Sequence, residues 1–506
     1  AMYDISGGTS NFGIGKEALY SGNGGTENFG IGTKAMYDIS GGISNFAIGT
    51  KTMYNAEGGV SNIAFGDESM YNLKNGEMNV ALGYKSLYGD GTNGFSGKYN
   101  VSIGYETMIS AKEGDHNIGL GYKSLKSNLS GDYNIGFGYA SQHDNESGEN
   151  NIAIGFQSLY SNTDSSNNIA IGYNTLNQNK KSNNIAIGFY SQYAGENAMY
   201  NTAIGYESLK ENKFASGNTA VGYQSQQNTH DGQHISGYNS YNSSFGYLSL
   251  SENKTGTNNV AVGSHALQYN YNNDYNVAVG NEALQMKEGS TNEANGNTAI
   301  GYQSMKYHYK NNSVDATKGN TALGYKSLYS ENSGILQDNV AIGSQSMLDV
   351  SDNSYRNISI GNMTLTSGKV LDNIAIGDKA LNGTGRNLSH EIIGNIAIGT
   401  DSLSKDVSGN YNVAVGYQTL KENLHGDNNI ALGKGSLIDS TKSNYNIGIG
   451  ENALSSINNS EVSDYNISIG KDTLKNHTTG EENIAIGNET SHVHTIGSQN
   501  VYIGSK

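Results

Sequence analysis

A chain of 506 residues with 68 Gly, 36 Tyr and not one Pro, Cys or Trp does not have the composition of ordinary globular domains. Zero Cys excludes a disulfide framework and thiol chemistry, and no apolar run approaches the ~18–20 residues that cross a bilayer as a helix. A net charge of −16 sets the chain against nucleic acid and anionic membrane surfaces as partners.

At the usual frequency a chain this long carries roughly 25 prolines. Their absence predicts one backbone geometry, which Pro would interrupt, along the whole length. The first element, at Asn11, reads Asn-Phe-Gly-Ile-Gly. The pattern returns at Asn28, Asn45, Asn62 and Asn79 and continues to Asn500, giving 28 copies. Of the 27 intervals, 17 are 17 residues long and the others run from 16 to 24.

Let the Asn be position 0. Position 3 is apolar and position 4 is Gly in all 28 copies, and position 2 is Ala, Gly or Ser in 27. Residues two apart in a strand share a face. Positions 1 and 3 are therefore read as the core face, as in Ile152, Ile154, Ile169 and Ile171. A second short strand is expected over positions 7 and 8, where Leu159 and Leu176 would join that core. The polar remainder reads as turns and outer loops. A unit this short cannot bury its apolar residues alone, so successive units are expected to stack as coils of a parallel β-solenoid. The Asn would form a coil-to-coil amide ladder. The invariant Gly marks a sharp turn or a close backbone approach.

A solvent-facing position 2 would tolerate bulk. Its constant smallness suggests that Ala153, Ala170, Ala186, Ala203, Ala261 and Ala375 pack against partner chains; the alternative is a cramped interior within one chain. On the first view, Ala153→Leu weakens assembly more than a change at an outer residue such as Asn162.

Stretches such as NNIAIGFQSLYSN (150–162) and NTAIGYESLKEN (201–212) resemble the repeats of bacteriophage tail-fibre proteins and related tail-fibre-domain surface proteins. They are also similar to the head repeats of trimeric autotransporter adhesins. The resemblance covers essentially the whole chain. It implies a left-handed β-roll packed as a homotrimer, outside the cell on a virion tail fibre or cell-surface appendage. Most units here are longer than the shorter coils of adhesin heads. The chain reads as one continuous array over 1–506 that begins within a unit at Ala1-Met2-Tyr3, hence as a segment of a longer fibre protein.

Several residues suggest chemistry. If His492 and His494 lie on a strand they point the same way, and a threefold axis would gather imidazoles for a transition metal; otherwise they are two loop histidines. Position 5 is Tyr in 11 copies, including Tyr84, Tyr105, Tyr122, Tyr173, Tyr206 and Tyr223. These are either glycan or receptor contacts or an aromatic ladder between coils. Long loops at 224–241 and 303–319 are further binding candidates. No carboxylate pair recurs at an offset suited to acid/base work, so no enzyme is expected and no cofactor is required. The expected function is the shaft of a trimeric fibre that presents a receptor-binding region for host or surface attachment. A solenoid that binds cell-surface glycan along its length is the alternative.

Overall fold

The computed structural model describes all residues except 1–3, 90, 92–93, 229–239, 289–292, 307–316, 331–335, 352, 367, 384–390 and 458–462. The protein is an all-β parallel solenoid, and no α-helix occurs among the described residues. It falls into two compact units, Ala1–Thr255 and Gly256–Lys506. The main ladder has 28 strands among the described residues, fourteen in each unit. Each strand covers positions 1 to 3 of a repeat, as in Ile152–Ile154 and Ile169–Ile171. These two pair in parallel with Ile152 opposite Ile169, Ala153 opposite Ala170 and Ile154 opposite Ile171.

The register follows the repeat, but the strand is turned over relative to the reading above. Ala153, Ala170, Ala186, Ala203, Ala261 and Ala375 are all fully buried within their own chain. They offer no surface to a partner. Ile152, Ile154, Ile169 and Ile171 are only half-buried and face out. The reason is parity. Asn at position 0 must point inward to make its bonds, so positions 2 and 4 point inward with it and positions 1 and 3 cannot. Position 2 is small because the leucine of position 8 lies across a narrow interior; Leu159 and Leu176 are core, as expected. A Cβ placed on Gly136, another position-2 residue, would already stand 3.1 Å from Leu125 Cγ.

Inside each coil the asparagines form a continuous staple. The Asn151 Oδ1 accepts the Asn168 backbone N–H at 3.0 Å and its Nδ2–H at 3.2 Å. The Asn151 Nδ2 donates to Ser165 O at 2.8 Å. A second interior row stands at position 11: Asn162 Nδ2 donates to Asn145 Oδ1 at 3.0 Å and to Ser165 O at 2.9 Å. Asn162 is therefore an interior residue, not an outer one, and is fully buried.

The second strand expected at positions 7 and 8 is a turn instead. Its backbone alternates, with Gln157 at φ +48° and Leu159 at φ +52°. The alternation sends successive N–H groups in opposite directions along the stack. The Gln157 N–H bonds Tyr139 O in the preceding coil, and the Leu159 N–H bonds Thr175 O in the next, both at 2.9 Å. Ladder bonding continues through a turn that has left the β region. Left-handed backbone at a non-Gly residue costs about 1–2 kcal/mol, so these bonds offset strain in every coil.

Short side ladders add to the main one. In the first unit Asp4–Ser6 pairs with Ser21–Asn23, and Asn55–Glu57 with Asn72–Lys74. In the second, Leu336–Gln337, Ser354–Tyr355, Lys369–Leu371 and Glu391–Ile393 form a four-stranded parallel ladder.

Candidate functional site

The outer face of the main ladder is the chemically distinctive surface of each unit. Every described side chain at positions 1 and 3 is half-buried or exposed. Ile118 is 43 % exposed and Phe137 51 %. No residue at either position is charged in any of the 28 copies. The result is a two-row apolar strip on a strongly acidic chain.

Aromatic rows border the strip. On one side, position 5 forms an unbroken stack from Tyr84 through Tyr105, Tyr122, Tyr139 and onward to Tyr223 and Tyr247. Ring centroids are 5.3 Å apart for Tyr105–Tyr122 and 5.0 Å for Tyr206–Tyr223, with planes within 9° of parallel. Each ring face is covered by the next ring, and what reaches solvent is the ring edge. A sugar stacks on an exposed face, so this geometry favours the coil-to-coil ladder for Tyr84, Tyr105, Tyr122, Tyr173, Tyr206 and Tyr223. On the other side, just before the Asn, stand Tyr99, His116 and Tyr133, stacked at 4.9 and 4.8 Å. Tyr133, Tyr200, Tyr275 and Tyr411 in this row are more than half exposed. All four have positive φ, from 57° to 59°. A bulky side chain held at positive φ is backbone strain, here combined with an aromatic ring left in water.

The histidine pair is not on a strand. His492 lies in the turn and His494 just after it. The His492 Nδ1 is 3.2 Å from Glu489 O, and its Nε2 is 3.1 Å from the Lys506 ammonium nitrogen. The His494 ring leans on Tyr502 at 5.1 Å. The rings engage different neighbours, and the nearby Lys506 competes with any cation. Among the described residues no group of three or more His, Asp or Glu is placed to hold a metal ion. The long loops fall largely at 229–239 and 307–316, outside the described residues.

Two polar rows escaped the sequence reading. Two residues before the Asn, Asp, Asn or Ser side chains in many coils accept backbone N–H groups of the preceding coil, as in Lys98 N–H to Asp115 Oδ1 and Asp115 N–H to Asp132 Oδ1, both at 2.7 Å. Recurrent Asp, Asn or Ser at that offset was the available signal. These carboxylates are engaged in the scaffold. The second row is position 11, which is Asn in eight copies and His477 in the coil that begins at Asn466. His477 is 2 % exposed. Burial, with a smaller contribution from His494, holds its imidazole below the ordinary histidine range. The folded chain then binds fewer protons than the unfolded one. Stability is full above the unfolded value of about 6.5 and is lost as pH falls through it toward the lower folded value. Hydrogen-exchange protection factors over residues 466–500, each referred to the intrinsic rate at its own pH, are expected to fall between pH 7.5 and 5, and His477→Asn to remove much of that dependence. An unchanged profile in the variant assigns the effect elsewhere.

Fold and face together define a parallel β-solenoid with an apolar, aromatic-bordered outer strip. No protein-family model matches the sequence, and no curated protein is significantly similar to it. No helix among the described residues is long and apolar enough to cross a membrane.

Proposed function

We propose that this chain is the shaft of a trimeric surface fibre on a virion or cell, and that its copies pack side by side through the outer strip. The exposed apolar strip carries this reading. Fourteen coils at ~4.8 Å make the strip of one unit on the order of 65 Å long. Two same-face rows with their side-chain breadth make it roughly 12 Å wide. The resulting ~800 Å² exceeds the largest apolar patch of a typical monomer and equals what one partner buries in a stable complex. A second copy of the same chain fits best: its strip is equally flat, apolar and uncharged, and has the same axial repeat. Three copies facing one axis close the contact, in keeping with the preference of oligomers for closed symmetry.

The role follows from mechanics. A repeating backbone ladder with internal amide staples holds its length and exposes few free backbone groups to proteases. Such a shaft would carry a receptor-binding region away from its anchor, for attachment to a host or surface.

Ile154→Asp combined with Ile171→Asp places two carboxylates on the strip and leaves the interior untouched. Sedimentation is expected to give a trimer for the parent and a smaller species for the variant, with unchanged circular dichroism. A monomeric parent at micromolar concentration would refute the reading.

A further inference from the structure

We propose that the hydroxyl-bearing stretch of the strip, Thr202, Thr219 and Ser243, sets the register and direction in which copies of this chain pack. The proposal rests on the side-by-side association described above.

A strip made only of Ile and Val repeats itself at every coil. Two such strips shifted by one coil still place Ile or Val against Ile or Val, so the shift changes little beyond the ends. Chains with a regular, featureless contact face slip for this reason. The strip of the first unit is not featureless. It opens with Phe12, Phe29 and Phe46 at position 1, stacked at 4.9 and 4.7 Å. Ile and Val then occupy position 1 from Ile63 to Ile185. It closes with Thr202, Thr219 and Ser243, which pair in register and are half-buried on the outer face. Position 3 stays apolar beside them, as Ile204, Val221 and Phe245. Only five of 28 copies carry a hydroxyl at position 1; the other two, Thr298 and Thr321, pair with each other in the second unit.

Hydroxyls in an otherwise apolar contact are satisfied only by one another. Copies in register bring hydroxyl level to hydroxyl level. A one-coil shift leaves hydroxyls at the ends of the block facing apolar side chains, and a buried hydroxyl without a partner disfavours that arrangement by roughly tenfold or more per site. One polar residue in a coiled-coil seam fixes register by the same logic. Direction follows too where two first-unit strips overlap, because antiparallel strips would set the Phe block against the hydroxyl block.

The chain has no Cys, so Tyr173→Cys on the bordering row carries a single nitroxide label. Interchain distances are then measured by pulsed electron resonance on the full chain, with the mass followed by sedimentation. The label alone is expected to give one narrow interchain distance. Adding T202V, T219V and S243V, which extends the apolar strip, is expected to preserve the mass and broaden that distance toward longer values, as axial offsets in multiples of ~4.8 Å add to the lateral separation. T202S with T219S keeps the hydroxyls and is expected to retain one distance. A valine variant that associates with one distance as narrow as the parent's overturns the register proposal and leaves the association standing. A parent that sediments as a monomer overturns both.

Discussion

Gly155→Ala is expected to disrupt the coils on either side of it, with a local cost of about 4 kcal/mol. Two independent effects add. The backbone of Gly155 has φ +131°, a region that residues with a Cβ avoid at about 1–3 kcal/mol. The added methyl would also stand 2.7 Å from the Gly172 carbonyl carbon and nearer still to its oxygen. That obstacle is backbone and cannot rotate away, and both chains of atoms are fixed by ladder bonds. In a solenoid each coil contacts only its neighbours, so the damage should be local. Hydrogen exchange over residues 134–190 should accelerate by roughly three orders of magnitude, while distant coils keep their protection. Gly296→Asn is the control. Gly296 also has positive φ, at +68°, but nothing lies within 4 Å of where its Cβ would be. Other coils already place Asn150 and Asn167 at the equivalent position. Near-parent protection is expected there. Equal effects at the two glycines would show that backbone conformation alone, without the close approach, sets the requirement at position 4.

The fold was legible because the repeat states it many times over. The spacing of Asn11, Asn28 and Asn45 gave the coil, and the strict Gly of position 4 gave the close approach at Gly155. The facing of the strand was not legible from hydropathy. Ile-Ala-Ile looks like a core strand with a small outer residue, and in a two-layer domain it would be one. Here Asn151 is the residue that decides. A buried amide row takes the inward side, and alternation then turns Ile152 and Ile154 outward. The same error hid Asn162, whose polar side chain suggested an outer loop. The turn at Gln157 and Leu159 was missed for another reason: its left-handed residues are a Gln and a Leu, where sequence reasoning expects Gly or Asn. As for the candidate site, the Tyr row was visible at position 5, but its ring-on-ring stacking depends on exact coil registration. His492 and His494 would share a face only on a strand, and the local backbone is a turn.

Asn151→Ala is expected to be nearly as damaging as the glycine change, and for a reason that separates the amide ladder from mere packing. Asn151 is fully buried, so water cannot replace what it bonds. Truncation removes the acceptor of the Asn168 N–H at 3.0 Å and of its Nδ2–H at 3.2 Å, whereas Ser165 O keeps the Asn162 amide at 2.9 Å. Buried polar groups left without partners cost about 1–3 kcal/mol each, so a local loss of about 3–5 kcal/mol is expected. Asn151→Asp tests which half of the amide matters. Its carboxylate can still accept from Asn168, but it has no N–H for Ser165 O and faces that carbonyl with negative charge. Burial and that carbonyl both favour the protonated acid, which raises the folded pKa above its unfolded value. Stability of this variant is then lowest at neutral pH and recovers as pH falls, when the protonated carboxyl can donate to Ser165 O. Hydrogen-exchange protection factors of residues 134–185, each referred to the intrinsic rate at its own pH, read this at pH 7 and pH 4.5. The Asp variant should resemble the Ala variant at pH 7 and approach the parent at pH 4.5, with the Ala variant unchanged between them. If Asn151→Ala retains parent-like protection at both values, the ladder is not what joins the coils, and the backbone bonds alone suffice.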